Sequence, residues 1–274
     1  MPELPEVETV KRIIGPQIKG RIISDIRMNR PEIISHPQAD TFYDLVKGRE
    51  IEDMSRRGKY LSILLDNDDT IRLHLRMSGH LLVTPHDFEE EKHTHIIFDL
   101  DNGNELRFID TRRFGRFWLI KNGEEDTYSG VSKLGPEPFD SDFTVTYLQD
   151  KLARRNKSIK ECLLEQNVIA GIGNIYGDEI LYVSGINPKR PASSLKNDEW
   201  AKLAESIPAI LAKAIEDNSL SPEEYLKSKG KDYRSTPFFK VYGHAGEPCP
   251  VCSTPLQRIV LSGRSSVFCP KCQK

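Results

Sequence analysis

Cys249-Pro250-Val251-Cys252, sixteen residues, and then Cys269-Pro270-Lys271-Cys272 bring this 274-residue chain to its end. A two-residue gap folds into a tight knuckle that aims both thiolates at one point, and two such knuckles supply the four sulfurs of a tetrahedral zinc site. Gly246, Pro248, Pro255 and Gly263 punctuate the segment, while Gln257-Arg258-Ile259-Val260-Leu261 and Ser266-Val267-Phe268 read as short strands. The stretch therefore predicts a β-hairpin pinned by one structural Zn2+ on Cys249, Cys252, Cys269 and Cys272. Two disulfides would use the same cysteines in an oxidising compartment. Against them stand the lack of a recognisable signal peptide and a fifth cysteine, Cys162, which reads as a small buried apolar residue of a helix.

Working back from the finger, Leu, Ile and Ala recur at helical spacing from about residue 143 to 227. Inside this region Val168-Ile169-Ala170-Gly171-Ile172-Gly173-Asn174-Ile175-Tyr176 sets two glycines one residue apart before a helix. The backbone amides of such a turn, at a helix N-terminus, hold a phosphate well. Glycine-rich turns between helices also arise from packing alone, and a dinucleotide fingerprint would need a third glycine and a preceding strand. Lys160 and Arg155 lie one helix upstream, within a stretch (151–160) of five bases and no acid. From Lys227 onward nine Lys or Arg face two Asp or Glu, although the whole chain has a net charge of −2. Basic patches on a near-neutral protein can track a phosphate backbone; for 151–160 a solvated helix face is the plainer alternative.

Ahead of Gly135-Pro136-Glu137-Pro138 the period changes. Residues 21–28, 51–65, 70–83, 95–100, 105–109 and 116–120 are β-branched or alternating, and Asp101-Asn102-Gly103-Asn104 has the chemistry of a hairpin turn. A helix starting near Glu3 carries Val7, Val10, Ile13 and Ile14 on one side. The expected fold class is α+β multidomain, with an N-terminal β-sandwich preceded by a helix, a helical domain and the terminal four-cysteine zinc-finger β-hairpin. The boundaries read as 1–120 for the catalytic sandwich, 121–142 for a linker, 143–235 for the helical domain and 236–274 for the finger. With 38% hydrophobic and 29% charged residues the chain has core for about two domains plus the finger. No apolar run approaches a membrane span, which favours a soluble intracellular protein.

The N-terminus carries its own chemistry. Removal of the initiator methionine would expose Pro2 as a secondary α-amine, a group that titrates near neutrality and so is partly unprotonated there. Its attack on an aldehyde-level carbon gives an iminium that is cationic by construction, an electron sink for covalent catalysis. Glu3 is placed to shuttle protons. Alternatively, Pro2 and Pro5 are ordinary helix-start residues, with Glu3 and Glu6 complementing the dipole.

Several separated motifs now combine. Pro2-Glu3-Leu4-Pro5-Glu6-Val7-Glu8, Arg57-Gly58-Lys59-Tyr60, His74-Leu75-Arg76-Met77-Ser78-Gly79, Asp110-Thr111-Arg112-Arg113-Phe114-Gly115, Leu134-Gly135-Pro136-Glu137-Pro138, Gly173-Asn174-Ile175-Tyr176 and the four-cysteine finger resemble, in order and nearly end to end, the formamidopyrimidine-DNA glycosylases of the family shared with endonuclease VIII. The resemblance implies a bifunctional DNA glycosylase and abasic-site lyase of base excision repair, excising formamidopyrimidines and 8-oxoguanine-type lesions from duplex DNA. Pro2 would attack C1′, expel the base, form a Schiff base and nick the strand by β- and δ-elimination, with Glu3 as general acid/base. Lys59 would contact phosphate and assist elimination, and Arg264 would hold the phosphates flanking the lesion. Asn174 with Lys160 would grip phosphates through a helix-two-turns-helix motif, with His93, Arg112 and Arg155 as further DNA contacts.

The same chemistry requires the base to leave the stack, so something must fill the hole. Met77, Arg112 and Phe114 resemble the family's void-filling trio; a Met and a Phe are more often core residues, but the adjacent Ser78-Gly79 and Gly115 favour loop tips. Placing the trio on two loops favours the formamidopyrimidine branch. The resemblance further implies one zinc, damaged double-stranded DNA as partner, and a monomer in the bacterial cytoplasm, associated with the nucleoid.

One region departs from the branch. Its Gly- and Thr-rich segment over an everted 8-oxoguanine is replaced here by Asn218-Ser219-Leu220-Ser221-Pro222-Glu223-Glu224-Tyr225 and Gly230-Lys231-Asp232-Tyr233-Arg234-Ser235. Fewer glycines mean fewer closely approaching amides, so the expected preference shifts toward formamidopyrimidines or another oxidised base. An endonuclease VIII-like enzyme for oxidised pyrimidines, or a non-catalytic zinc DNA-binding paralogue, are the competing functions.

Overall fold

Helix α1 (Leu4–Ile18) begins as its first residues dictate. The backbone N–H of Glu3 donates to the Glu6 carboxylate at 2.8 Å, the Glu3 side chain accepts from the third helical amide in return, and Pro5 sits in the first turn, where its missing N–H costs nothing. The computed structural model describes residues 2–231 and 239–274, which gather into two units: 2–132 with 218–231, and 133–217 with 239–274.

In the first unit the chain runs through β1 (Ile23–Met28), β2 (Ile34–His36), α2 (Ala39–Val46), β3 (Ile51–Arg57), β4 (Tyr60–Leu65), β5 (Thr70–His74), β6 (Gly79–Pro85), β7 (Thr94–Leu100), β8 (Asn104–Asp110) and β9 (Arg116–Ile120). These make a sheet of order β1-β7-β8-β6 and a second of order β2-β9-β5-β4-β3, antiparallel except where β2 meets β9. Apolar residues from both sheets and from α1 share one core, in which Phe108 of β8 meets Phe117 of β9 edge to face at 5.0 Å. Gly103 turns the β7-β8 hairpin with φ +79°, as Asn102-Gly103 implies.

Two expected strands prove to be pairs. The run 51–65 breaks at Gly58 (φ +56°) and the run 70–83 at Arg76 (φ +57°). Both turns are built of charged residues inside apolar stretches, so hydrophobic periodicity passes over them, and each carries an expected site residue, Lys59 or Met77.

The second unit holds α3 (Val145–Leu152), α4 (Ile159–Leu163), α5 (Asn174–Ser184), α6 (Asn197–Asp217) and the hairpin β10 (Gln257–Leu261) and β11 (Arg264–Phe268). Leu148, Ile159, Leu163, Ile180, Trp200, Leu203 and Leu211 form its main core, and a small cluster of Val241, Leu256 and Val267 surrounds Cys249 and Cys269. Helix α5 packs on α6 and on β11, so helices and finger are one body.

The short helix α7 (Pro222–Lys227), started by a Ser221/Glu224 capping box, belongs with the sandwich, where Tyr225 is fully buried and Leu220 and Leu226 pack beside it. The contacts thus divide 143–235 differently from the expected helical domain. Of the segment expected to alter lesion choice, 232–235 lies outside the described residues. Among the described residues no helix is long and apolar enough to cross a membrane.

Candidate functional site

Pro2 and Glu3 are both buried at the head of α1. The helix is moored by Glu8, which accepts from Arg56 Nε of β3 at 2.8 Å and from Arg12 Nε at 3.0 Å. Burial alone would raise the Glu8 carboxyl, but the guanidinium of Arg56 and its neighbours hold it below the ordinary value, so the tie is ionic at neutral pH.

Lys59, buried at the turn between β3 and β4, lies close enough to His74 to act on its titration. Burial first, and then the charges of Arg76 and Lys59, push the imidazole down to about 3. His74 is therefore neutral, and its Nδ1 accepts the backbone N–H of Arg76 at 2.9 Å while Tyr60 meets the ring edge-on at 4.6 Å. This bond fixes the left-handed Arg76 and with it the Met77 loop tip.

The second tip is organised by Asp110, fully buried at the end of β8. Its carboxylate accepts the N–H groups of Arg112 (3.1 Å) and Gly115 (2.8 Å) and the hydroxyl of Ser78, which itself accepts from Arg112 N–H at 3.2 Å. One carboxylate thus ties the Met77 loop to the Phe114 loop. Glycine is needed at both flanks: a Cβ on Gly79 would lie 2.5 Å from the Leu75 carbonyl oxygen, and one on Gly115 2.3 Å from the Phe108 ring. Met77 and Phe114 remain 44% and 47% exposed, and the Arg112 guanidinium sits 5.0 Å over the Phe114 ring. The structure brings this trio together. His93, half-buried, accepts the Asp110 N–H at 3.0 Å through its carbonyl.

In the second unit the glycine turn precedes α5 with Gly171 at φ +98° and Gly173 as N-cap. Asn174 opens the helix and donates Nδ2–H to the Ser265 carbonyl of the hairpin at 2.8 Å; an amide nitrogen carries two donors, so a second acceptor is open to it. Arg264 is exposed at the hairpin tip, next to Ser262 and Gly263 in left-handed conformations.

Two expected phosphate contacts are engaged otherwise. Lys160 is only 2% exposed and donates to the Asn174 carbonyl (2.7 Å) and to Asp178 (2.6 Å), because an ammonium buried beneath the turn needs a carboxylate to offset its desolvation. Arg155 pairs with Glu165 at 2.5 Å. Lys160 thus shapes the turn from below rather than facing solvent.

Asp178, which sequence reasoning passed over, is the hub of this unit. It accepts Lys160, the Val267 N–H at 3.0 Å and the Ser266 hydroxyl, joining α4, α5 and the finger. Asp178→Ala would strand a buried ammonium and is expected to cost about 3–5 kcal/mol. Chemical denaturation should show the loss, while Glu165→Ala, on a partly exposed pair, should cost no more than about 1 kcal/mol. Equal losses would overturn the assignment of Asp178 as hub. The only hint in the sequence is a charged pair, Asp178-Glu179, in an otherwise apolar helix. Glu179 is buried as well, and its carboxylate accepts the N–H groups of Lys240, Val241 and Tyr242 at 2.8 to 2.9 Å.

The four cysteine sulfurs lie within 4.8 Å of one another, with Cys249 and Cys272 3.9 Å apart and Cys252 and Cys269 3.5 Å apart. Tetrahedral Zn–S bonds of about 2.3 Å place the sulfurs about 3.8 Å apart, so the set fits zinc. The pairs fall across the two knuckles, as a single shared ion requires. The Cys162 thiol is buried away from this cluster, in the core of α3–α6.

Comparison with known proteins agrees with this geometry throughout the chain. Residues 1–117 match the formamidopyrimidine-DNA glycosylase N-terminal domain, 134–223 the H2TH domain of the same enzymes, and 246–274 the zinc finger found in FPG and IleRS. The chain is 42% identical over 275 residues to the formamidopyrimidine-DNA glycosylase of Desulforamulus reducens, covering 100% of this chain and 99% of that one. The Moorella thermoacetica enzyme of the same name is 43% identical, with 94% of each chain covered. A solved structure of Lactococcus lactis Fpg (MutM) in complex with FAPY-dG-containing DNA superposes with a TM-score of 0.91 at 36% identity, covering 99% of this chain and 100% of that one.

Proposed function

Because the chain belongs to the formamidopyrimidine-DNA glycosylase family, we propose that its repair chemistry runs through Pro2 at the head of α1. The protein is a DNA glycosylase that removes oxidised purines in base excision repair, and it carries one structural zinc on its four C-terminal cysteines. In the proposed sequence the Pro2 nitrogen attacks C1′ as the glycosidic C–N bond breaks, and Glu3 moves protons between ring oxygen, base and amine. Sugar opening leaves an iminium; loss of a C2′ proton expels the 3′ phosphate, and a second elimination expels the 5′ phosphate. Lys59 and His93 on the first unit, and Arg264, Asn174 and Arg155 on the second, are the proposed phosphate contacts, with Lys160 holding the Asn174 turn from below.

The observation that carries this proposal is the pair of tips locked by Asp110. A methionine and a phenylalanine held nearly half exposed, with a guanidinium over the aromatic ring, suit insertion into a base stack whose damaged member has been everted. The substrate is damaged duplex DNA, and the working form is a cytoplasmic monomer associated with the nucleoid. The Ser221-Pro222-Glu223-Glu224 helix start in place of a glycine-rich segment shifts preference toward formamidopyrimidines.

Single-turnover incision of duplexes carrying formamidopyrimidine-guanine, 8-oxoguanine or an oxidised pyrimidine opposite cytosine tests both statements. Formamidopyrimidine should be removed fastest. Faster removal of 8-oxoguanine would end the altered preference, and incision confined to oxidised pyrimidines would end the purine assignment.

A further inference from the structure

Helix α5 presents three polar side chains at four-residue intervals, Asn174, Asp178 and Tyr182, and each is bonded to the finger. Asn174 Nδ2 reaches the Ser265 carbonyl at 2.8 Å, Asp178 holds Ser266 and Val267, and the Tyr182 hydroxyl lies 3.3 Å from Cys249 Sγ. Residues four apart share one helix face, so a single row spanning roughly 12 Å of helix runs from the glycine turn to the thiolate cluster. Tyr182 is half-buried, and its ring packs on the small core of Val241, Leu256 and Val267 that encloses the cysteines.

From this row we infer that Tyr182 is a positioning residue of the zinc cluster, its hydroxyl donating to the Cys249 thiolate and thereby holding the metal site against the helix that carries the phosphate-gripping turn. Four thiolates on one Zn2+ leave a net dianion, and each hydrogen bond received by a sulfur disperses part of that charge. Cys269 Sγ receives the backbone N–H of Cys272 at 3.3 Å, a bond the knuckle makes for itself. Cys249 is likewise bonded by backbone N–H groups of its own knuckle, those of Val251 and Cys252, and has in addition a partner from a different element, the Tyr182 hydroxyl in the last turns of α5.

Y182F removes the hydroxyl and keeps the ring, whereas Y182L removes both. Transfer of zinc from the intact, zinc-loaded protein to the chromogenic chelator 4-(2-pyridylazo)resorcinol is expected to quicken on the order of tenfold in Y182F, within the range typical for lost outer partners of metal ligands. A Y182F protein that purifies with less than one zinc per chain, and refills only at raised zinc concentration, supports the same assignment. In the Co2+-substituted protein the sulfur-to-metal charge-transfer band should move to longer wavelength in Y182F, because the sulfur lone pair loses its donor. Wild-type release rate and an unshifted cobalt band in Y182F would overturn the inference, including the case where Y182L alone releases metal faster, since ring packing would then be the whole role.

Discussion

Replacing Pro2 by glycine is expected to slow single-turnover base release on the order of a hundredfold or more, the scale of a lost covalent or acid–base contribution. Glycine leaves a primary amine, whose imine is neutral until protonated, whereas the iminium of a secondary amine cannot be neutral. The substitution therefore removes the permanent electron sink without removing the nitrogen. Helix α1 should tolerate it, because the capping box runs between Glu3 and Glu6 and the mooring through Glu8 and Arg56. A chain that keeps Met1 in front of Pro2 tests the same nitrogen more severely, since an amide does not attack C1′. Borohydride reduction in the presence of an abasic duplex should trap a covalent adduct with the mature protein, less with Pro2→Gly and none with the blocked chain. An adduct of full yield from the blocked chain would move the nucleophile elsewhere.

Stripping the zinc is expected to abolish incision and weaken duplex binding by at least about a hundredfold, with the sandwich remaining folded. Structural zinc sites contribute about 10–16 kcal/mol to the folding of small metal domains, comparable with the stability of a whole domain. The cluster of Val241, Leu256 and Val267 around the cysteines is too small to replace that. Once the hairpin melts, Arg264 loses its place at the tip and Asn174 and Asp178 lose their partners on β11. The core of the first unit shares none of these residues. Fluorescence anisotropy on a lesion duplex, alongside circular dichroism of the chelated protein, reads both halves of the statement, and Cys269→Ser should reproduce it without chelator. Undiminished incision at verified zinc loss would remove the structural role.

The finger was legible because cysteine spacing encodes geometry directly, and the sulfur separations follow from it. The sheets were legible as runs of β-branched residues, but the two turns that matter most were not. Arg57-Gly58-Lys59 and Leu75-Arg76-Met77-Ser78 lie within apolar runs, and only the left-handed backbone at Gly58 and Arg76 shows where the strands end. The Met77, Arg112 and Phe114 trio was visible as a motif, whereas the carboxylate joining its two loops was not, since the tie of Asp110 to Ser78 spans 32 residues. Lys160 illustrates the opposite case. In sequence it belongs to a basic run, but in the fold its ammonium meets Asp178, 18 residues on, and helical periodicity alone does not say which of a run of charges turns inward.

The return of the chain to the first unit at α7 limits how the protein can be taken apart. A fragment ending at Ser132 would leave bare the apolar seat that Tyr225 fills with Leu220 and Leu226, so the sandwich is not an autonomous module in the linear sense. Gene dissection, domain grafting or recombination at the obvious proline-rich joint would each sever a piece of that core. The sandwich is inherited intact only together with the distant segment that carries α7.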